Sequence, residues 1–267
     1  GRSKGPVFQK GHQVKSEDLC RLMRMGKNNL YVLDLKENQV HEDDAVYELA
    51  TALAGPGVVF SGSPREGKLE LKAAYPGLLK VNVDALVEFN MVEDVMCASA
   101  HNNTCVDRNQ GLAATRVIPL VIERRELERA VKIARKAYPI FSVAMFNPLK
   151  IRLIITGNEV YNGLVQDRFQ AIVERKVTAL GARLEETVIL PDDRAMISRQ
   201  IKVYQKKETD LIITTGGMSV DPDDVTKAGI EDAGFDEVHY SAAVLPGAMF
   251  LLGYNKTTAV KSTAVMG

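Results

Sequence analysis

The chain of 267 residues has no tryptophan, three cysteines and no excess of either charge, with 34 basic residues against 34 acidic ones. Each shortage excludes something. Cys20, Cys97 and Cys105 are too few, and odd in number, for a disulfide framework, so free thiols and a reducing cytoplasm are expected. A balanced chain without blocks of like charge sets up no field to attract nucleic acid or anionic lipid, and neither is expected as a partner. No apolar run approaches the roughly 18–20 residues of a membrane span. The opening Gly1-Arg2-Ser3-Lys4-Gly5 also lacks the apolar core of a secretory signal, so a soluble protein is expected. The first residue is not methionine and the sequence stops inside the apolar segment Ala264-Val265-Met266-Gly267, which predicts a chain cut at one or both ends.

What is present favours two domains, since the length exceeds the ~100–200 residues of a usual one. Residues 1–147 read as an α+β domain. Short extended pieces, Gly57-Val58-Val59-Phe60, Lys68-Leu69-Glu70-Leu71-Lys72-Ala73 and Leu78-Leu79-Lys80-Val81-Asn82-Val83, are broken by turn formers, and the last two are predicted to form a hairpin across Pro76-Gly77. Residues 115–122 read as one strand with Pro119 marking an edge. Apolar periodicity predicts helices over 42–54 and 124–137. Pro139 and Asn147-Pro148 punctuate the junction.

From residue 148 to 267 the pattern becomes strand, loop, helix, repeated. Strands are expected at 151–156, 183–190 and 210–214, the last buried on both faces. Helices are expected at 168–180 and from a cap at Asp192 or Asp193 to about Tyr204. Such alternation implies a mostly parallel sheet with right-handed crossovers, hence a three-layer, doubly wound α/β domain. In such sheets ligands lie beyond the carboxyl ends of the strands. Three successive strand-to-helix junctions are unusually polar there: Thr156-Gly157-Asn158-Glu159 with Asp167, then Asp192-Asp193, then the loop 214–224 with Thr215, Gly216, Gly217, Met218, Ser219, Asp221 and Asp224. Glycine permits close backbone approach to a ligand, and threonine supplies hydroxyl donors, which suits phosphate oxygens. The many carboxylates would repel a bare phosphate, and a bridging Mg²⁺ resolves that conflict. Singly, each acid is a helix cap and each glycine a turn; at three neighbouring strand ends they point to one site.

Thr156-Gly157-Asn158-Glu159-Val160, Asp192-Asp193 and Thr215-Gly216-Gly217-Met218-Ser219-Val220 with Asp224 and Thr226 resemble the molybdopterin-binding domain of molybdenum-cofactor biosynthesis proteins. The resemblance spans about residues 150–253. That family includes adenylyltransferases, molybdotransferases and a related domain of competence-damage-inducible proteins, and the Ser-Val step is similar to the molybdotransferase loop. It implies a ligand, molybdopterin or its adenylylated form, whose phosphate end meets Thr156, Gly157, Asp167, Thr215, Gly216, Gly217, Met218, Ser219, Asp221 and Thr226. It also implies that Glu159, Asp193 and Asp224 act in catalysis, with Asp193 and Asp224 on Mg²⁺ during molybdate insertion. A transferase is implied, assembled as a homo-oligomer and serving a molybdoenzyme or another cofactor-biosynthesis protein. A non-catalytic carrier and a nucleotide-pyrophosphate hydrolase are the alternatives. The opening Lys10-Gly11-His12-Gln13-Val14, Glu17-Asp18-Leu19 and Gly26 resemble a group of bacterial molybdopterin-binding proteins. A Gly-Leu-Pro-Gly type loop of the family would follow Met266-Gly267, so the domain is expected to be incomplete at its end.

Other signals are weaker. Cys97, His101 and Cys105 lack a fourth zinc ligand, and His12, His41 and His239 stand at no triad spacing. Gly55-Pro56-Gly57 reads as a helix stop rather than a dinucleotide loop, and no Walker loop is found.

Overall fold

The computed structural model describes residues 14–26, 35–60, 62–65, 67–218, 225–241, 243, 248–255 and the backbone of 264–266. Its contacts divide the chain into two compact units: residues 1–74, 80–104 and 109–142, and residues 75–79, 105–108 and 143–267.

Along the first part of the chain run α1 (Leu19–Arg24), β1 (Gln39–His41), α2 (Glu42–Leu53), β2 (Val58–Val59), β3 (Lys68–Ala73), β4 (Gly77–Val81), α3 (Val83–Asn90), β5 (Val95–Ser99), β6 (Cys105–Val106), β7 (Gly111–Val117), β8 (Val121–Glu123), α4 (Arg124–Lys136) and β9 (Phe141–Ala144). The two long helices arise from local signals. His41 accepts the Asp43 amide at 3.2 Å to start α2, and α4 buries Leu127, Ala130, Val131 and Ala134, a 3–4 spacing that makes one apolar stripe. α2 packs its fully buried Ala45, Val46, Leu49 and Leu53 inward; truncating Leu49 to Ala would cost about 2–5 kcal/mol.

Two sequence expectations fail here. β3 and β4 form no hairpin: β3 lies in a four-stranded sheet in the order β2-β3-β7-β5, while β4 lies in a three-stranded one, β6-β4-β9. The Pro-Gly turn is a real local signal, but β3 finds its partner at β7, with Leu69 opposite Thr115 and Leu71 opposite Ala113, where alternate apolar side chains share a buried face. The single strand expected at 115–122 is two. β7 ends at Val117, Pro119 falls in the break, and β8 pairs antiparallel with β1 instead.

The second unit carries β10 (Lys150–Thr156), α5 (Asn158–Tyr161), α6 (Phe169–Ala179), β11 (Arg183–Leu190), α7 (Arg194–Lys206), β12 (Leu211–Thr215), α8 (Thr226–Glu231), β13 (Glu237–Tyr240), β14 (Leu251–Tyr254) and β15 (Ala264–Met266). Its sheet has the order β11-β10-β12-β15-β14-β13. β11, β10, β12 and β15 pair in parallel; β14 alone runs against them, and β13 pairs antiparallel with β14, so the domain is the mostly parallel α/β type expected.

From β10 the chain winds outward to β11 and then returns past β10 to β12, so the winding reverses at β10. The crevice beyond the carboxyl ends of β10 and β12 is therefore the topological switch point, where open α/β sheets bind ligands. On one face Ile197, Ile201 and Tyr204 of α7 and Ile230 of α8 close on Ile154 and Ile212 in the main core cluster. The opposite face is thinner. There Val177 is the one buried residue of α6, and Leu211 and Ile213 of β12 are only half-buried beside an apolar cavity of about 520 Å³. β12 is thus fully covered on one face rather than two.

Candidate functional site

The glycine turn is built by crowding. β10 ends at buried Thr156, whose hydroxyl donates to the carbonyl oxygen of Thr215 at 3.2 Å and lies 2.9 Å from the Thr226 hydroxyl. One hydroxyl carries one proton, so Thr226 donates to Thr156 and Thr156 to the Thr215 carbonyl. Gly216 follows with φ +94, and a Cβ there would stand 2.4 Å from the Thr156 carbonyl oxygen; at Gly217, φ +57, it would stand 2.5 Å from Thr226 Oγ1. Both positions therefore require glycine on conformational and steric grounds. The Thr226 amide donates back to the Gly217 carbonyl at 3.1 Å, so the turn is tied to the start of α8 by backbone and side chain together.

α8 is in turn locked to α7. A Cβ on Gly229 would approach Ile197 Cγ2 to 2.9 Å, and Arg194 holds Asp232 in a bidentate pair at 2.5 and 2.7 Å. That pair raises the Arg194 guanidinium above its ordinary value and lowers the Asp232 carboxyl, the hydrogen bond being the larger cause in each.

The first two junctions are clamped to each other. The Asn158 amide donates to Asp192 Oδ2 at 2.9 Å, and the Asp192 amide donates to Asn158 Oδ1 at 3.2 Å. Gly157, φ +143, begins this turn, and its amide donates to the Leu190 carbonyl at 3.3 Å. Asp193 caps α7 by accepting the Met196 amide at 2.8 Å through Oδ1. Asp167 caps α6, accepting the amides of Phe169 and Gln170 at 2.8 and 3.0 Å. Glu159 is exposed on the single turn of α5.

Thr156, Gly216, Gly217 and Thr226 thus stand in one hydrogen-bonded and packed cluster, and Asn158 with Asp192 forms a second. Met218 turns its side chain against the core cluster, so it offers backbone to the site. Thr215 Oγ1 is buried with no hydrogen-bond partner among the described residues, a donor and acceptor at the strand end beside the turn. Ser219, Asp221 and Asp224 lie outside the described residues. Among the described residues no three His, Cys, Asp or Glu side chains are grouped to hold a metal ion. Mg²⁺ needs only one or two carboxylates with phosphate and water, and the Asp193 cap uses Oδ1 alone, so the donor chemistry at this rim fits that ion.

Sequence reasoning missed two residues next to the turn. The Tyr240 hydroxyl, at the end of β13, donates to the Met218 carbonyl at 2.8 Å, and Lys227 Nζ stands 4.1 Å from the centroid of the Tyr240 ring. Lys227 follows Thr226 directly, which could have flagged it; nothing local could have linked either to Tyr240.

The glycine turn and its threonine hydroxyls thus lie at the switch point of a doubly wound sheet. Residues 152–266 match the family described as "Probable molybdopterin binding domain". Residues 1–34 match a domain family of unknown function. A protein of Archaeoglobus fulgidus is 32% identical over 81 residues, covering 30% of this chain and 35% of the relative. A CinA-like protein of Mycobacterium sp. (strain JLS) is 36% identical over 78 residues, covering 29% and 18%. The chain spans about a third or less of the length of these relatives. Among solved structures, the tungsten cofactor synthesizing protein MoaB from Pyrococcus furiosus is similar at 19% identity and a TM-score of 0.39, over 45% of this chain and 81% of that one. No helix among the described residues is long and apolar enough to cross a membrane.

Proposed function

We propose that the carboxyl-terminal domain binds molybdopterin, or its adenylylated form, by the phosphate end at the glycine turn, and that the protein takes part in Mg²⁺-dependent insertion of molybdate during cofactor biosynthesis. The supporting observation is the packing of Gly216 and Gly217 on Thr156 and Thr226 at the switch point, which leaves no room for side chains where a phosphate would approach the backbone. In this reading Thr215, Ser219 and the amides of the turn donate to phosphate oxygens, while Thr226 takes part by holding the turn through Thr156 and Gly217. Asp193 and Asp224 hold Mg²⁺, which when bound neutralises charge on the pyrophosphate. Glu159 orients water or molybdate at the exposed rim, Met218 offers its backbone to the ligand, and Asp221 is a further ligand-binding residue. Asp167 and Gly157 set the first junction.

The test is release of AMP from adenylylated molybdopterin when molybdate and Mg²⁺ are added to the purified protein. Binding of that ligand without AMP release under any metal condition would reject the enzymatic claim. One observation favours a carrier as the second reading: Asp167, Asp192 and Asp193 all accept backbone amides, which commits part of the acidic set to structure. Tight binding without turnover is its expected result. The similarity to CinA-like proteins makes pyrophosphate hydrolysis of ADP-ribose, with no pterin present, the control reaction.

A further inference from the structure

The acids at the three junctions leave open which side chain supplies positive charge to an anionic ligand at the glycine turn. Arg194 is held by Asp232 in the bidentate pair through Nε and Nη2. Lys227 is placed differently. It occupies the second position of α8, next to Thr226, whose amide and hydroxyl hold the turn. Its Nζ lies 4.1 Å from the centroid of the Tyr240 ring, within the range of a cation–π contact. Its carboxylate partner among the described residues, Glu231, is 4.0 Å away, at the outer limit of an ion pair, and both side chains are substantially exposed. The hydroxyl of the same Tyr240 ring donates to the Met218 carbonyl, directly after Gly217.

One aromatic side chain therefore holds the glycine turn through its hydroxyl and an ammonium over its face. An ammonium on an aromatic face keeps its donors for a further anion, because the ring uses the charge and not the N–H directions.

We propose that Lys227 contacts an anionic oxygen, in chemical class a phosphate or pyrophosphate, of the ligand held at the glycine turn, and that Tyr240 is the positioning residue that sets both the turn and the ammonium. This rests on the reading of the site as a molybdopterin site. Lys227 and Tyr240 then discriminate the phosphorylated ligand from an uncharged pterin.

The experiment measures Kd for molybdopterin, kept anaerobic, and for inorganic pyrophosphate on the full chain at several salt concentrations. Lys227→Met is expected to raise both Kd values about tenfold, the scale of one lost charge-assisted hydrogen bond, and to flatten their dependence on salt. Lys227→Arg is expected to restore most of the affinity. Tyr240→Leu is expected to weaken binding similarly, and Lys227→Met to add little on that background, because the ring no longer places the ammonium. Should Tyr240→Leu fail to fold, Tyr240→Phe with Lys227→Met carries the test, since Phe keeps the ring and loses only the hydroxyl contacts to the Met218 carbonyl and Met249 Sδ. Wild-type affinity and salt dependence in Lys227→Met, together with lost binding in Gly217→Ala, would overturn the Lys227 assignment and leave the site intact. If Gly217→Ala binds as well as wild type, or the wild-type chain binds neither probe, the reading of the site fails and this inference with it.

Discussion

The hydroxyl oxygens of Thr156 and Thr226 lie 2.9 Å apart although seventy residues separate them in the chain. That bond joins the end of β10 to the start of α8 across the crevice, and the glycine turn is folded over it. The room available to residue 217 is set by this pair of threonines, which makes the turn sensitive to a single added carbon.

Gly217→Ala is expected to cost about 2–3 kcal/mol in urea unfolding, from about 1–2 kcal/mol of left-handed backbone strain plus the displacement of Thr226. Gly234 supplies the control. Its φ is +83, yet nothing lies within 4 Å of an added Cβ, so Gly234→Ala should show the strain alone and leave pterin affinity unchanged. Equal losses of stability in the two variants would mean that Thr226 gives way without cost.

Asp193 separates capping from metal chemistry. Asp193→Ala removes the acceptor for the Met196 amide and should cost about 1 kcal/mol, whereas Asp193→Asn keeps a good cap and should stay within about 0.5 kcal/mol. On the proposed role, Asp193→Asn also raises the Mg²⁺ concentration needed for half-maximal AMP release. An unchanged requirement would restrict Asp193 to the helix.

Cysteine reactivity reports on the burial of β5. Burial in β5 pushes the Cys97 thiol up to about 12, so its thiolate is scarce at pH 8, while Cys20 and Cys105 are exposed. A disulfide reagent at pH 8 should titrate two thiols promptly in the native protein and the third only after denaturant is added. Three equally fast thiols would contradict the packing of β5.

Tyr204 predicts an alkaline limb of stability. Its ring is fully buried, and burial, followed by the Glu186 charge, raises its phenol to about 12, against about 10 in an unfolded chain. The folded state then holds the proton more tightly. Stability from this group is complete below about pH 10 and falls as pH rises towards 12. Tyr204→Phe should remove that fall and change stability near neutrality by no more than about 1 kcal/mol, since no hydrogen-bond partner of the hydroxyl is found among the described residues. Thermal unfolding followed between pH 8 and 11 measures both effects.

Much of the architecture is written locally. Apolar periodicity suffices for α4 and, with a side-chain cap, for α2 and α7, and the alternation of strand and helix after the junction dictates a mostly parallel sheet. The positive φ of Gly157, Gly216 and Gly217 answers to residue type alone, which is why the tight turns of the first and third junctions are legible in the sequence.

Strand partners are another matter. β3 bonds to β7 rather than to its neighbour β4, and β12 has one face only partly covered, because pairing and burial depend on which distant apolar faces meet. The same holds at the site. Asp192 and Asp193 look alike in sequence, yet Asp192 clamps Asn158 and Asp193 caps α7. Lys227 comes to lie over Tyr240 only because β13 forms the edge of the folded sheet. Residue type alone determined where the backbone could turn tightly and which groups could bind an anion. Tertiary structure decided which of those groups meet, since hydrogen bonds and cation–π contacts act over a few ångströms and the chain brings their partners together only on folding.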